Sequence, residues 1–447
     1  MEKHRVEFVD LTHDGKGVCK IEGYPVFVEH ALKGEVADII ITKRNASFGL
    51  GQMVSLVHPS PFRKEPLCEY YQSCGGCQLM HMHYQTQLDF KQHRVQETLK
   101  RLGGIEVEVK DTLGMRNPYY YRHKVVVFFK QNGKTIQAGF HRRQSHDVVE
   151  IKKCVISQKR LFEIVKVVKS LALEGLITVQ KDDAEPFLKA VMVRLSKADQ
   201  SISLTLITNA GKWPNKKLFA EKISTLCPDI KTLVWNIQPQ VKGPYLGRKS
   251  TILYGEDVLH ETLGNIRYRL THDAFFQVNP DQMNEILDTI KDNTTFKPTD
   301  RLLDAYCGLG AIGLNLASSV ASVVGVDITK AAIDNAKKAA KEAHIDNARF
   351  VCGPVEDVMQ KEQGRFDVVV VDPPRKGCDT RFLDKLIELS PRVVVYVSCN
   401  VATLARDLKK LSPMYQVRYV KPVDMFAQTT HIETVALLEL KKSSVRV

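Results

Sequence analysis

The sequence contains no apolar run long enough to cross a bilayer, so a helical membrane protein is not expected. Its first residues lack the apolar core of a secretion signal, and neither an internal repeat nor a low-complexity tract occurs. These absences predict a cytoplasmic globular protein without membrane contact, and nothing in the sequence indicates an obligate protein partner. A chain of 447 residues has room for two or three domains.

Acidic residues are in deficit, with 51 Asp and Glu against 64 Lys and Arg, which gives a net charge of +13. The imbalance is concentrated in residues 59–160, which hold 18 Lys and Arg but only 9 Asp and Glu. A basic patch favours a polyanionic partner, although a solubilising surface explains the composition equally well. Disulfides are not expected among the ten cysteines of a cytosolic protein, so these are metal ligands, catalytic thiols or buried apolar residues.

Two unlike segments occupy the first part of the chain. Residues 1–58 contain short strand-like runs separated by glycines, which predicts a small OB-like β-barrel of a kind that often binds nucleic acid. A proline-rich linker then leads into residues 59–275, where strands mix with a few helices. We expect these residues to form a central α+β region that carries a cluster of cysteines.

The third segment, residues 276–447, alternates strands and helices. Phe366–Val371 and Val393–Val397 are continuous apolar runs, as in strands buried on both faces of a parallel sheet. This pattern predicts a doubly wound α/β domain of Rossmann-like architecture. Val417–Val420 and Val435–Leu440 follow each other without a helix, which predicts an antiparallel hairpin at the edge of the sheet.

A glycine-rich turn follows the first strand of this third segment. Leu303 to Gly313 read as a strand that enters the turn at the start of a helix, where the backbone can approach a ligand closely. Asp327 ends the next strand, where its carboxylate can accept hydrogen bonds from ribose hydroxyls. The spacing of the glycines alone also fits a dinucleotide fingerprint, which leaves an NAD-dependent oxidoreductase open.

Two further strand ends favour methyl transfer over hydride transfer. Asp372-Pro373-Pro374-Arg375 follows one buried strand, and Cys399 follows the next. Ligands and chemistry gather at the carboxyl ends of strands in open α/β sheets, and a thiol beside a rigid Asp-Pro-Pro turn has no role in hydride transfer. Enzymes that methylate exocyclic amines generally carry an aromatic residue where Arg375 stands, which argues against an amine as the acceptor.

A reactive cysteine suits methylation of carbon 5 of uracil, which is not nucleophilic enough to react unaided. A thiolate that adds to carbon 6 turns the ring into an enolate, and a base must later remove the carbon-5 proton. Cys399 precedes a predicted helix over 402–411, whose N-terminus is expected to lower the pKa of the thiol. Glu433 lies among apolar residues that tend to raise its pKa, although the sequence alone favours a surface glutamate in a turn.

At this point the residues resemble a known family, the RNA uridine-5-methyltransferases. The matching motifs span the third segment in the order found in the family: FFQVNP (275–280), DAYCGLGAIGL (304–314), VVGVD (323–327), DPPRKG (372–377), VSCNVATLARDL (397–408) and HIETVALLEL (431–440). The resemblance implies that S-adenosylmethionine is the methyl donor and that the domain has the class I methyltransferase fold.

The resemblance also implies roles for individual residues. Cys399 would be the nucleophile and Glu433 the base, with Arg375 near the target uracil. The residues implied to bind the cofactor are Gln277, Tyr306, Asp327 and Asp372, and Asp372 would also lie near the target base. Two positions depart from the family pattern, because Asp327 replaces a more common Glu and Ala311 stands where some members have an Asn ligand.

A cluster of cysteines lies in the second segment. Cys68, Cys74 and Cys77 fall within ten residues, and Cys154 follows later. Four cysteines suit a structural zinc ion or an iron–sulfur cluster, and their spacing does not choose between the two. Members of the resembled family with this pattern carry a [4Fe–4S] cluster, so the resemblance implies such a cluster here, with structural zinc as the alternative.

The partner implied is RNA. Residues 119–124 interleave three tyrosines with cations, a pattern that suits stacking on unpaired bases and contact with phosphates. The N-terminal module resembles the RNA-binding TRAM domain, and family members with both this module and the cysteines often modify 23S rRNA. We therefore favour 23S rRNA, with one or two target uridines, over tRNA. A non-catalytic RNA-binding protein is a further alternative, against which the intact Cys399, Glu433 and Asp372 weigh.

Overall fold

The computed structural model describes residues 2–179, 187–240, 243–362 and 364–442. Its first sheet is formed by the N-terminal strands in the order β1-β5-β6-β4-β3-β2. These strands are β1 (Lys3–Glu7), β2 (Asp10–Leu11), β3 (Gly17–Ile21), β4 (Tyr24–Val28), β5 (Val36–Arg44) and β6 (Gly49–His58). Alternate side chains such as Val26 and Val28 point into a small apolar core with Phe8 and Ile39. The predicted N-terminal module of strands is confirmed.

A second sheet follows in the order β13-β12-β11-β10-β7-β8-β9. The strands are β7 (Lys124–Asn132), β8 (Thr135–His141), β9 (Val148–Glu150), β10 (Leu188–Leu195), β11 (Ile202–Thr208), β12 (Ile230–Ile237) and β13 (Lys249–Gly255). Helices α2 (Lys159–Leu173) and α3 (Lys216–Leu226) contribute to the core on the face that carries Val125 and Val127. The opposite face of β7 therefore carries Lys124, Val126 and Phe128.

The third sheet has the order β18-β17-β16-β19-β20-β22-β21. Its strands are β16 (Arg301–Ala305), β17 (Ser322–Asp327), β18 (Ala348–Cys352), β19 (Val368–Val371), β20 (Val393–Ser398), β21 (Tyr415–Val423) and β22 (Glu433–Leu440). The helices are α4 (Pro280–Asn293), α5 (Ala311–Leu316), α6 (Lys330–Glu342), α7 (Val355–Lys361), α8 (Thr380–Leu389) and α9 (Val401–Leu411). Strands β16 to β20 pair in parallel, whereas β22 pairs antiparallel with both β20 and β21. The predicted doubly wound domain with an antiparallel end is confirmed.

Parts of the second segment pack into the core of the third sheet. Helix α1 (Tyr84–Thr98) buries Val95 against this core, and its last residue is followed by a π-helical turn over Leu99–Gly103. The hairpin of β14 (Leu259–Leu263) and β15 (Ile266–Leu270) joins the apolar core on the sheet's other side. The segment boundaries at 58 and 275 stay predictions. Within the described part of the chain, no helix is both long and apolar enough to cross a membrane.

Candidate active site

A cavity of about 1620 Å³ opens at the carboxyl edge of the third sheet and extends to the second sheet. Parallel strands bring their carboxyl ends to one edge, which gathers residues far apart in the sequence. The cavity is lined by every site residue predicted from the sequence, namely Cys68, Cys74, Cys77, Cys154, Gln277, Tyr306, Asp327, Asp372, Cys399 and Glu433. The four cysteines therefore border the same space as the candidate catalytic and cofactor-binding residues.

The glycine turn after β16 forms one wall of this cavity. Gly310 has a φ of 72°, and a Cβ added there would lie 2.7 Å from the Phe350 ring, so only glycine fits. The carboxylate of Asp327 accepts a hydrogen bond from the Gly308 amide at 3.1 Å, which ties the end of β17 to the turn. Close-lying backbone beside a strand-end carboxylate suits an adenosine-containing cofactor. The donor set thus fits S-adenosylmethionine.

A second carboxylate, Asp304, lies beneath the turn. One oxygen accepts a hydrogen bond from the Gly313 amide at 2.8 Å, while the other is buried without a partner among the described residues. Burial raises the pKa of Asp304 to about 7, with smaller contributions from Asp372 and Asp327. Asp304 was not among the residues selected from the sequence, although its place at the end of a buried strand could have indicated it.

The candidate nucleophile, Cys399, lies between β20 and α9. Asn400 caps α9 by accepting a hydrogen bond from the Ala402 amide at 3.1 Å, which confirms a helix directly after the thiol. Burial, followed by the Glu433 and Asp372 carboxylates, raises the pKa of Cys399 to about 11, whereas Arg375 lowers it. The expectation of a lowered pKa was therefore wrong, because burial and two carboxylates outweigh the helix start.

The candidate base, Glu433, begins β22 beside the nucleophile. The pairing of Ser398 with Thr434 brings Cys399, directly after β20, close to Glu433 at the start of the adjacent strand β22. Glu433 is 4% exposed, and burial raises its pKa well above the usual value, with Asp372 raising it further and Arg375 lowering it. The apolar setting expected for this residue is confirmed, and the surface-turn alternative is excluded.

The Asp-Pro-Pro-Arg turn completes this wall. Burial raises the pKa of Asp372 to about 7, so its carboxyl is partly protonated near neutral pH. The carbonyl oxygen of Arg375 accepts a hydrogen bond from the Asn400 side chain at 3.0 Å. This bond links the Arg375 turn directly to the residue that follows the nucleophile.

Replacing Arg375 with Gln is expected to slow alkylation of Cys399 at neutral pH by about three- to tenfold, because the guanidinium lowers the pKa of the thiol. The measurement is the iodoacetamide reaction rate at Cys399 against pH, followed by mass spectrometry. Arg381→Gln is the matched control, since Arg381 is exposed on α8 and pairs with Glu356. Equal rates for both variants would contradict the role of Arg375.

The loop between β21 and β22, which leads to Glu433, is anchored by the second segment. The buried Lys91 ammonium on α1 lies 2.5 Å from the buried Asp424 carboxylate. Gln87 exchanges two hydrogen bonds with Gln428, both at 3.0 Å, and the Tyr121 hydroxyl donates to the Ala427 carbonyl at 3.0 Å. These contacts hold the loop, and with it the start of β22, in one position.

The cysteine segment contacts the same loop. The amides of Gln78 and Leu79, which directly follow Cys77, both donate to the Gln428 carbonyl at 3.0 Å. Burial raises the pKa of the Cys77 thiol well above its usual value, and Cys154, Cys74 and Cys68 raise it further. The predicted ligands therefore lie together. Among the described residues, no group of three or more His, Cys, Asp or Glu side chains is arranged so that it could hold a metal ion.

Comparison with known proteins agrees with this geometry. The model of the family described as "tRNA (Uracil-5-)-methyltransferase" matches residues 83–441, and the TRAM domain model matches residues 2–54. The chain belongs to the tRNA (uracil-5-)-methyltransferase family. It is similar to an "uncharacterized RNA methyltransferase" of Bacillus cereus, with 40% identity over 97% of this chain and 95% of the relative. A relative of the same description in Halalkalibacterium halodurans is 40% identical over 98% of this chain and 96% of its own.

A crystal structure of another protein is similar to this chain over almost its whole length. It is Pyrococcus abyssi tRNA (uracil-54, C5)-methyltransferase in complex with S-adenosyl-L-homocysteine, with a TM-score of 0.78 and 27% identity. The match covers 97% of this chain and all of the Pyrococcus chain. The protein is thus an S-adenosylmethionine-dependent RNA uracil-5-methyltransferase, and the dehydrogenase alternative is excluded.

Some cavity residues of this methyltransferase were missed from the sequence. Residues 119–124 were expected to stack on RNA, yet Tyr121 is buried and only Arg122 and Lys124 of that run line the cavity. Arg194 is buried beside them at the end of β10, and Phe275 is 72% exposed at the rim. A cation directly after a run of apolar residues, as Arg194 is after residues 190–193, is the signal that could have identified this side of the cavity.

Proposed function

We propose that this enzyme methylates carbon 5 of one or two uridines in 23S rRNA, with Cys399 as the nucleophile and Glu433 as the base. The observation that carries the proposal is the meeting of a thiol and a buried carboxylate at adjacent strand ends, beside the glycine turn. A methyltransferase that acts on a nucleophilic nitrogen or oxygen needs no such thiol, whereas carbon 5 of uracil does.

Different residues that line the cavity carry out the successive steps of the reaction. The Cys399 thiolate adds to carbon 6, so that a carbon–sulfur bond forms and the ring becomes an enolate. Asp372, partly protonated near neutral pH, can donate a hydrogen bond to the developing oxyanion. Bound S-adenosylmethionine supplies the methyl group as a sulfonium. Glu433, made more basic by burial, then removes the carbon-5 proton, and the thiolate leaves as the ring double bond returns.

The choice of 23S rRNA rests on the combination of the TRAM domain with the four cysteines. The specific observation that favours tRNA instead is the match to the Pyrococcus tRNA enzyme, which extends over 97% of this chain. The N-terminal module alone therefore does not discriminate between the two substrates. In either RNA the target base must be unpaired or flipped to expose carbon 6.

The substrate is tested by incubating the enzyme and S-adenosylmethionine with unmodified 23S rRNA and, separately, with unmodified tRNA. Digestion and mass spectrometry then detect 5-methyluridine, and fragment mapping counts the sites. Product from rRNA alone is the expected result. Product from tRNA alone would keep the chemistry and refute the proposed substrate, and no product from either would favour a binding protein.

We also propose that Cys68, Cys74, Cys77 and Cys154 hold a [4Fe–4S] cluster. Their chemistry fits, because four thiolates are the usual donors to such clusters. The spacing of the cysteines does not choose between this cluster and a single zinc ion, and the resemblance to family members with the same cysteine pattern favours the cluster. A four-iron cluster is a larger body in which each thiolate binds a different iron atom. Its proposed role is structural, since the segment that follows Cys77 supports the loop before Glu433.

Replacing Cys74 with Ser is expected to remove most of the bound iron and sulfide, because one of four ligands is lost. The measurement is an iron, sulfide and zinc assay on protein purified without oxygen. Cys352→Ser is the control, since Cys352 is an exposed cysteine outside the cluster. Stoichiometric zinc without iron in the unmodified protein would refute the cluster and support the structural zinc alternative.

A further inference from the structure

The cavity is larger than one cofactor and one base require. Beyond the methyl-transfer residues it reaches the face of β7 and β10 that points away from α2 and α3, where it is lined by Lys124, Val126, Phe128, Met192 and Arg194. Drug-sized ligand sites usually enclose about 300–1,000 Å³, below the volume found here. This sheet face is therefore available to a further part of the substrate.

Two cations stand side by side on this face. Lys124 and Arg194 are opposite each other in the antiparallel pairing of β7 and β10. The Arg194 side chain is 6% exposed; one guanidinium nitrogen donates to the Ala274 carbonyl at 2.6 Å, and the other is buried without a partner. Burial, then Arg194 and Arg122, lowers the pKa of Lys124 to about 7. Within the described chain, Lys124 forms no ion pair.

The nearby carboxylates are already engaged elsewhere. Glu261, Asp273 and Asp257 lie within electrostatic range of Arg194, but none forms a hydrogen bond with it. Glu261 accepts hydrogen bonds from the backbone amides of Lys197 and Thr262. Asp273 accepts one from the Thr271 hydroxyl. Asp257 accepts one from the His272 ring. Burying cations without full compensation is unfavourable, so an external anion that enters the cavity would be bound strongly.

A group of rings continues the same face. The centroids of Phe128 and His141 are 4.0 Å apart, and those of Phe128 and Tyr245 are 5.9 Å apart. Tyr245 is 61% exposed, so it has a ring face available for stacking. Phe128 is four residues along β7 from Lys124, which separates the rings from the cations by about 13 Å.

We propose that this face binds the single-stranded RNA next to the target uridine, with a backbone phosphate at Lys124 and Arg194 and a neighbouring base stacked on Tyr245. The inference rests on the proposed function, because it takes RNA as the substrate. Aromatic faces bind bases of any sequence, and paired cations bind the phosphodiester. The face thus holds the strand open while the target base enters the methyl-transfer site.

The test uses Lys124→Gln and Tyr245→Ala in the full-length protein, with Lys124→Arg as the charge-retaining variant and Lys338→Gln as the control. Lys338 is exposed on α6 and does not line the cavity. RNA affinity is measured over a range of salt concentrations with the RNA that the unmodified enzyme methylates. S-adenosylmethionine affinity is measured by calorimetry, and Tm by thermal unfolding.

Lys124→Gln is expected to weaken RNA binding roughly tenfold and to reduce the salt-dependence slope by about 0.7, as for one lost phosphate contact with a single strand. Tyr245→Ala is expected to weaken binding roughly 5- to 150-fold with the slope unchanged, as for one lost stacking contact. Lys124→Arg should behave like the unmodified enzyme. All variants should bind S-adenosylmethionine normally.

An unchanged RNA affinity and slope in Lys124→Gln, with a normal Tm, would overturn the proposal. Loss of S-adenosylmethionine affinity in Lys124→Gln would also overturn it, because the cations would then serve the cofactor's carboxylate. If the unmodified enzyme methylates neither rRNA nor tRNA, the proposed function fails. The face is then tested with a short fluorescein-labelled oligouridylate, for which the same affinity and slope changes are expected, and their absence refutes it.

Discussion

Replacing Cys399 with Ala is expected to lower 5-methyluridine formation by roughly 10⁴-fold or more, as for loss of a covalent nucleophile. Without the thiolate, carbon 5 of uracil remains a poor nucleophile. The alanine variant should still bind S-adenosylmethionine, because Cys399 lies on the far side of the Asp372 turn from the glycine turn in the strand order. The measurement is single-turnover methyl transfer to RNA, with cofactor affinity determined in parallel.

Cys352→Ala is the matched control for this prediction. Cys352 is an exposed cysteine at the end of β18 in the same sheet, and it does not line the cavity. Its replacement should leave the rate within about twofold of the unmodified enzyme, as for a surface change. Substantial methylation by the Cys399 variant would exclude covalent catalysis by this thiol, whatever the control shows.

The third sheet was predictable because its signals are local in the sequence. A strand buried on both faces must be apolar throughout, as Val393–Val397 is, and a strand followed by a glycine turn identifies the cofactor edge. The parallel order then brings Asp327, Asp372 and Cys399 to one edge without further information. The place of these three residues followed from the fold class once the strand ends were identified, whereas Gln277 and Tyr306 were implied only by the resemblance to the family.

What could not be predicted depends on contacts between distant segments. The pKa of Cys399 follows from its burial and from Glu433 and Asp372, none of which the local helix-start argument includes. The pair of Lys91 and Asp424 joins residues more than 300 positions apart, and no periodic pattern records such a partner. Tertiary packing decides these features, so they became visible only in the folded chain.

Replacing Glu433 with Gln is expected to stop the reaction after methyl transfer and to accumulate a covalent protein–RNA adduct. Glutamine keeps the shape of the side chain but cannot accept the carbon-5 proton, so the Cys399 thiolate cannot leave. Product formation should fall by about 10²–10⁴-fold, as for loss of a general base. The adduct is measured as a slower band in denaturing electrophoresis, and its absence together with normal turnover would exclude Glu433 as the base.

The same substitution should make the folded enzyme more stable at neutral pH. Burial raises the pKa of Glu433 above its value in the unfolded chain, so the folded state favours the protonated carboxyl. The folded enzyme therefore loses stability as the pH rises from the unfolded pKa through the folded pKa, because the buried carboxyl must then carry a charge. Glutamine has no such loss, so the Tm of the variant should exceed that of the unmodified enzyme at pH 7 and differ little from it at pH 4. Glu439→Gln on the same strand is the control, since Glu439 is exposed and pairs with Arg418. If the adduct forms but Tm does not rise at pH 7, Glu433 acts as the base and its buried charge does not destabilise the folded enzyme.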